Sequence, residues 1–212
     1  MCEQFQKRGK SFVAIDCNRD GATAKSGGVF NPTVLKRFTA AWNASAFFPV
    51  AIDFYKILSD KLGKEFFIET PILRVFKSVE EQNNWSVASD KRELQQFLSS
   101  EVIKNSNPAV LAPFGFGKVL GTAKIHTDVL LSEYRNLLQK KEELIVEDFQ
   151  FDHFEHNENG VIYKNILAKK IIFCEGAKAI ENPFFPKHTI IGNKGEYVII
   201  HAPELNLSTF LK

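Results

Sequence analysis

The first sixteen residues constrain this chain more than any other stretch. MCEQFQKRGKSFVAID reads as the last turns of a helix, a stop, and then a strand. Lys7 and Arg8 stand where a helix favours cations, because the unpaired carbonyls of its last turn carry partial negative charge. Gly9 can take the left-handed conformation that closes such a helix, and Ser11 to Ile15 form a short apolar run that ends on Asp16. A helix leading directly into a strand is one step of an α/β fold. A helix whose last turns fall at residues 2 to 8 is expected to have begun before Met1.

The rest of the chain alternates between the two periodicities. GATAKSGGVFNPTVLKRF is rich in small residues, which suits a loop that approaches something closely. Phe47 to Leu62 carries Ile52, Tyr55, Leu58 and Leu62 at helical spacing, and Gly63 marks the stop. Thr70 to Phe76 is strand-like on either side of Arg74. Short helices are expected over Val79 to Trp85 and from Asp90, where Asp90 and Glu93 have the spacing of a capping box. PFGFGKVLGTAKI reads as strand and turn, followed by a helix over Asp128 to Lys141 with Thr127 as its cap. Leu130, Tyr134, Leu137 and Leu138 form one face of that helix. From Leu144 the pattern is β: a strand from Ile145 to Phe154, a turn at Asn157 to Gly160, and strands over Val161 to Tyr163 and Lys169 to Cys174. The NPFFP segment reads as a loop, and Glu196 to His201 as a closing strand.

Composition excludes several classes. A formal charge of +2, with Lys and Arg scattered among Asp and Glu, gives no basic stripe for nucleic acid. The 44% hydrophobic and 25% charged content is that of a folded globular chain, and the 20 Phe residues suit core and sheet packing. Cys2, Cys17 and Cys174 have no paired spacing, which points to a reducing compartment. No apolar run approaches the roughly 18 to 20 residues of a membrane span, and Met1 to Lys10 lack the apolar middle of a signal peptide. A cytoplasmic protein is expected.

In a dinucleotide-binding fold the acid at the end of the second strand accepts hydrogen bonds from ribose hydroxyls. Asp16 stands at such a position, although an ordinary αβ unit whose Asp begins a turn has the same pattern. The matching G-x-G-x-x-G turn is expected about 20 residues earlier, which runs ahead of Met1. Later segments make the likeness specific. KRGKSFVAID resembles the first helix end and second strand of the flavin-dependent D-amino-acid oxidase and glycine oxidase family, and GATAKSGGVFNP resembles its small-residue loop. AKKIIFCEGA is similar to its later strand and A-x-G turn, and NKGEYVII to its strand entry into the substrate domain. These segments follow the family's order over nearly the whole chain.

The resemblance implies an α/β fold: a Rossmann-like FAD-binding portion, lacking its first strand and Gly-rich turn, interleaved with a mixed or antiparallel-sheet substrate domain. The FAD-binding portion is expected over residues 1–40 and 118–190, and a partial substrate domain over 41–117 and 191–212. The absence of any repeat, low-complexity tract or separating linker suits two domains that exchange strands along the chain. The implied activity is oxidation of an amine or amino acid by hydride transfer to FAD, by a chain incomplete at both ends.

Residue by residue, Asp16 matches the ribose acid and Thr23 the loop hydroxyl near the pyrophosphate. Gly27, Gly28 and Val29 match positions beside the isoalloxazine, Phe151 a strand position whose backbone meets the adenine, and Gly176 the Gly of the later turn. A flexible turn also accounts for the two loop glycines, and a core aromatic for Phe151. Cys174 and Glu175 depart from the family's small neutral residues. No general acid or base is assigned, since the cofactor carries the difficult step. Arg74 reads as an exposed strand arginine, with a substrate carboxylate as its alternative partner. His153 and His156, on opposite faces of the expected strand, would chelate a metal poorly. Two other readings stand beside the enzyme: a non-catalytic remnant, and an interaction domain that exposes sheet edges.

Overall fold

The structure is a computed structural model that describes residues 1–186 and 191–212. In chain order it begins with α1 (Cys2–Lys7), β1 (Ala14–Ile15), β2 (Val29–Phe30), β3 (Thr33–Val34) and β4 (Thr39–Ala40). There follow α2 (Ala44–Leu62), β5 (Phe67–Glu69), β6 (Ile72–Val75), α3 (Val79–Ser89) and β7 (Leu98–Ile103). Next come β8 (Phe116–Val119), β9 (Ala123–Ile125), α4 (Thr127–Lys140) and β10 (Leu144–Ile145). The remaining strands are β11 (Phe154–Asn157), β12 (Gly160–Tyr163), β13 (Ile166–Ala168) and β14 (Phe210–Leu211). The fold is mixed α/β, built from several small sheets. Among the described residues no helix is long and apolar enough to cross a membrane.

Local chemistry accounts for the helix ends. After α1, Gly9 takes φ +59°, the conformation that costs a glycine least. Behind α2, Gly63 does the same at φ +62°, and the N–H groups of Gly63 and Lys64 close on the carbonyls of Asp60 and Ser59. At the start of α3, Ser78 Oγ accepts from Glu81 N–H at 3.2 Å.

The chain divides into two units, one of residues 1–25 and 134–197, the other of 26–133 and 198–212. The sequence places these breaks at 40/41, 117/118 and 190/191.

In the first unit β1 lies parallel to β10, with Ala14 opposite Leu144 and Ile15 opposite Ile145. Ala14 N–H to Glu143 O (2.8 Å) and Asp16 N–H to Ile145 O (3.0 Å) extend the pairing. β11, β12 and β13 form an antiparallel meander whose first turn runs from Asn157 to Gly160. Phe149 stacks on Tyr163 at 4.4 Å, and Phe151, Phe154, Phe173 and Phe184 gather around the same cluster. Five of the chain's 20 Phe residues pack together here.

In the second unit β14, β6, β8 and β7 form one sheet, with β14 parallel to β6 and the other pairings antiparallel. β2, β9 and β5 form a second sheet, and β3 pairs with β4. Trp85, fully buried on α3, sits in the core with Leu35, Ile72, Phe76, Leu94 and Val119. Its indole N–H donates to Ser99 O at 2.8 Å, so the burial leaves no polar group unpaired.

Several expectations need correction. Asp90 closes α3, and the residues after it form turns leading into β7 in place of a helix. Residues 169–174 and 196–201 pair with no strand among the described residues, so their apolar runs are not strands. Phe151 lies on a short 3-10 turn, Phe151–His153, and not on a strand. His153 shares that turn while His156 lies on β11, so the two histidines do not belong to one strand. Arg74 is not an exposed arginine: its side chain is 18% accessible and ion-paired with Glu81.

Candidate functional site

Loops that follow the carboxyl ends of parallel strands leave one edge of a sheet, and in open α/β folds ligands bind outside that edge. β1 and β10 make such a pair. Asp16 directly follows β1, and Asp148 follows three residues after β10.

Asp16 is held from two sides. Arg135, on α4, donates from Nε to Oδ2 at 3.0 Å and from Nη2 to Oδ1 at 3.5 Å. The backbone N–H of Asn18, itself at φ +56°, donates to Oδ1 at 2.7 Å. A carboxylate offers about four acceptor positions, so it retains capacity for a further donor. The Asp16 side chain is 36% exposed, which leaves it within reach of a ligand.

The Gly176 turn reaches the same edge. Arg19, three residues beyond Asp16, pairs with Asp148 Oδ2, and Lys178 Nζ approaches Asp148 Oδ1 at 3.8 Å. Lys178 belongs to the 3-10 turn Gly176–Glu181. Exposed pairs of this kind contribute at most about 1 kcal/mol each, and they tether the turn to the loops after β1 and β10. Gly176 has φ +60°, and open space lies where a Cβ would stand. Beside it the Glu175 carboxylate accepts from Nδ2 of Asn182 at 2.7 Å, and Asn182 is buried. That contact gives Glu175 a local structural role.

No protein-family model matches the chain, and no solved structure matches it.

Asp16, Thr23, Phe151 and Gly176 belong to the first unit, and Gly27, Gly28 and Val29 to the second. Thr23 lies exposed in the turn at residues 22–25. Val29 is half exposed on β2. A Cβ on Gly28 would stand 1.8 Å from Ile125 O, at a residue with φ +62° whose own carbonyl accepts from Ile125 N–H at 2.7 Å. Close packing of β2 on β9 is thus the reason for glycine there. Phe151 contributes its ring to the aromatic cluster, and its carbonyl accepts from Phe154 N–H.

Arg135, Arg19, Asp148 and Lys178 escaped the sequence reading. Arg135 carried a signal, because a cation four residues after Leu131 and three before Leu138 interrupts the apolar flank of α4. The other three belong to loops, where spacing carries no information about partners. Among the described residues no group of three His, Cys, Asp or Glu side chains is arranged for a metal.

Proposed function

We propose that this chain carries a Rossmann-like portion of an FAD-dependent oxidoreductase that oxidises an amine or amino acid, as its resemblance to the D-amino-acid oxidase and glycine oxidase family implies. One observation carries the reading: an acid directly after one strand of a parallel pair, tied by Arg19, Asp148 and Lys178 to a left-handed glycine turn. Both features suit the adenosine half of a dinucleotide.

In this reading Asp16 accepts the ribose hydroxyls while Arg135 holds its carboxylate in place. Gly176, with no side chain and open space beside it, lets the backbone approach the nucleotide. Thr23 offers a hydroxyl to the pyrophosphate. Gly28 and Phe151 fit less well, since the first is occupied by β9 and the second by its aromatic neighbours. When bound, the flavin would accept the hydride. Small-molecule substrate recognition falls to the second unit.

A second reading, an interaction domain, is favoured by the exposed run Tyr197 to Ile200, in which Ile199 is 97% accessible. Titration with FAD, followed by quenching of flavin fluorescence, separates the two. The oxidoreductase reading predicts saturable quenching that Asp16→Ala weakens about tenfold, the loss of one charge-assisted hydrogen bond. Unchanged fluorescence at every protein concentration would favour the interaction domain.

A further inference from the structure

The second unit holds a recess of about 370 Å³, within the size range of small-molecule sites. Its lining is mixed: the apolar Ile52, Phe67 and Leu120 stand beside the polar Thr70 and Thr122. Two charged residues line it, Glu69 and Lys118. They differ in one respect. Glu69 Oε1 already accepts from Lys56 Nζ at 2.7 Å, and that contact raises the Lys56 pKa above its ordinary value. Lys118 makes no ion pair and no side-chain hydrogen bond with any described residue.

The balance of charge at the recess is therefore positive. Lys118 projects from β8 within a paired ladder, opposite Leu73 of β6, so the strand fixes its stem. Gly121, also in the lining, turns the backbone with φ +69°, and nothing stands within 4 Å of where its Cβ would be. An unpaired lysine on a paired strand, lining the same recess as Ile52 and Phe67, is complementary to one kind of ligand: an anion with a small hydrocarbon body.

We propose that this recess binds a small organic monocarboxylate, its carboxylate on Lys118 and its apolar body against Phe67 and Ile52. The inference goes beyond the flavin reading and does not depend on it. Binding requires no cofactor, and a protein that takes the carboxylate but not FAD would overturn only the flavin reading.

The probe is 4-methylpentanoate, added to the whole 212-residue chain and followed by amide and methyl chemical shifts in NMR spectra. Saturable shifts are expected at Ile52, Phe67, Lys118 and Val119. Lys118→Met should weaken binding about tenfold or more, and Lys118→Arg should keep it within about threefold, since the cation survives. The uncharged 4-methylpentanamide should bind at least about tenfold more weakly. Equal binding of the amide, equal binding to the Lys118→Met variant, or shifts confined to residues outside the recess would each overturn the proposal. So would a spectrum left unchanged by the acid.

Discussion

Arg135 Nε lies 3.0 Å from Oδ2 of Asp16, and this pair fastens α4 to the carboxyl end of β1. Arg135 is 22% exposed and Asp16 36%, so solvent screens the attraction and only a modest contribution is expected. Arg135→Met keeps the apolar stem and removes the charge. It should lower unfolding stability by about 1 kcal/mol, read as a shift in the urea midpoint with an unchanged slope. Combining it with Asp16→Asn should add little, because both substitutions remove the same contact.

Glu81 gives the protein an acid-sensitive joint. Burial pushes its carboxyl pKa up, but the Arg74 guanidinium, the Lys77 N–H at 2.7 Å and the neighbouring charges outweigh this, so the pKa lies below its ordinary value. A depressed folded-state pKa contributes stability above the unfolded value, and that stability disappears as pH falls through the folded value. Stability measured from neutral pH downward should therefore fall more steeply for the wild type than for Glu81→Gln, the curves converging in acid.

How far the fold was legible follows from which forces are local. α2, α4 and the Asn157–Gly160 turn announce themselves because periodicity, caps and turn residues act within a few positions of each other. The apolar runs at 169–174 and 196–201 misled, since a strand exists only where another strand supplies its hydrogen bonds. β7 was missed for the opposite reason. LSSEVI has no clean alternation, yet β8 beside it provides a partner. At Asp90 a capping box was expected, but the residue completes α3 and the box spacing falls on turns. In the candidate site Asp16 could be read from its place after a strand, whereas Arg19, Asp148 and Lys178 come from three separate segments and meet only in the folded chain.

Gly28 and Gly117 should tolerate no side chain, for reasons independent of any ligand. At Gly28 a Cβ would overlap Ile125 O, and at Gly117 it would stand 2.4 Å from the Trp85 ring. Either alanine substitution should destabilise by about 2 kcal/mol or more, from overpacking in both cases and from positive φ at Gly28. Trp85→Ala, which empties the core instead, should cost about 3–5 kcal/mol. Thermal denaturation of the three variants beside wild type checks the order.

Tyr134 should resist alkaline titration. Burial first, and then the carboxylate of Glu3 and its neighbours, push its phenol pKa well above the ordinary value. Its hydroxyl donates to Glu3 Oε2 at 3.3 Å. A raised folded-state pKa contributes stability that is present below the unfolded value of 10.0 and is lost as pH climbs through the folded one. Tyrosinate absorbance of the native protein should accordingly show one tyrosine that titrates later than the others, a transition that Tyr134→Phe removes without altering the earlier ones.

The central claim is that Asp16 and Gly176 line one nucleotide site, and amide NMR during titration with ADP, the adenosine diphosphate half of FAD, tests it most directly. The account predicts saturable shifts at Asp16, Asn18 and Gly176 with a shared dissociation constant, abolished together by Asp16→Ala. Shifts at one of the two residues without the other, or none at either in a folded protein, would contradict it.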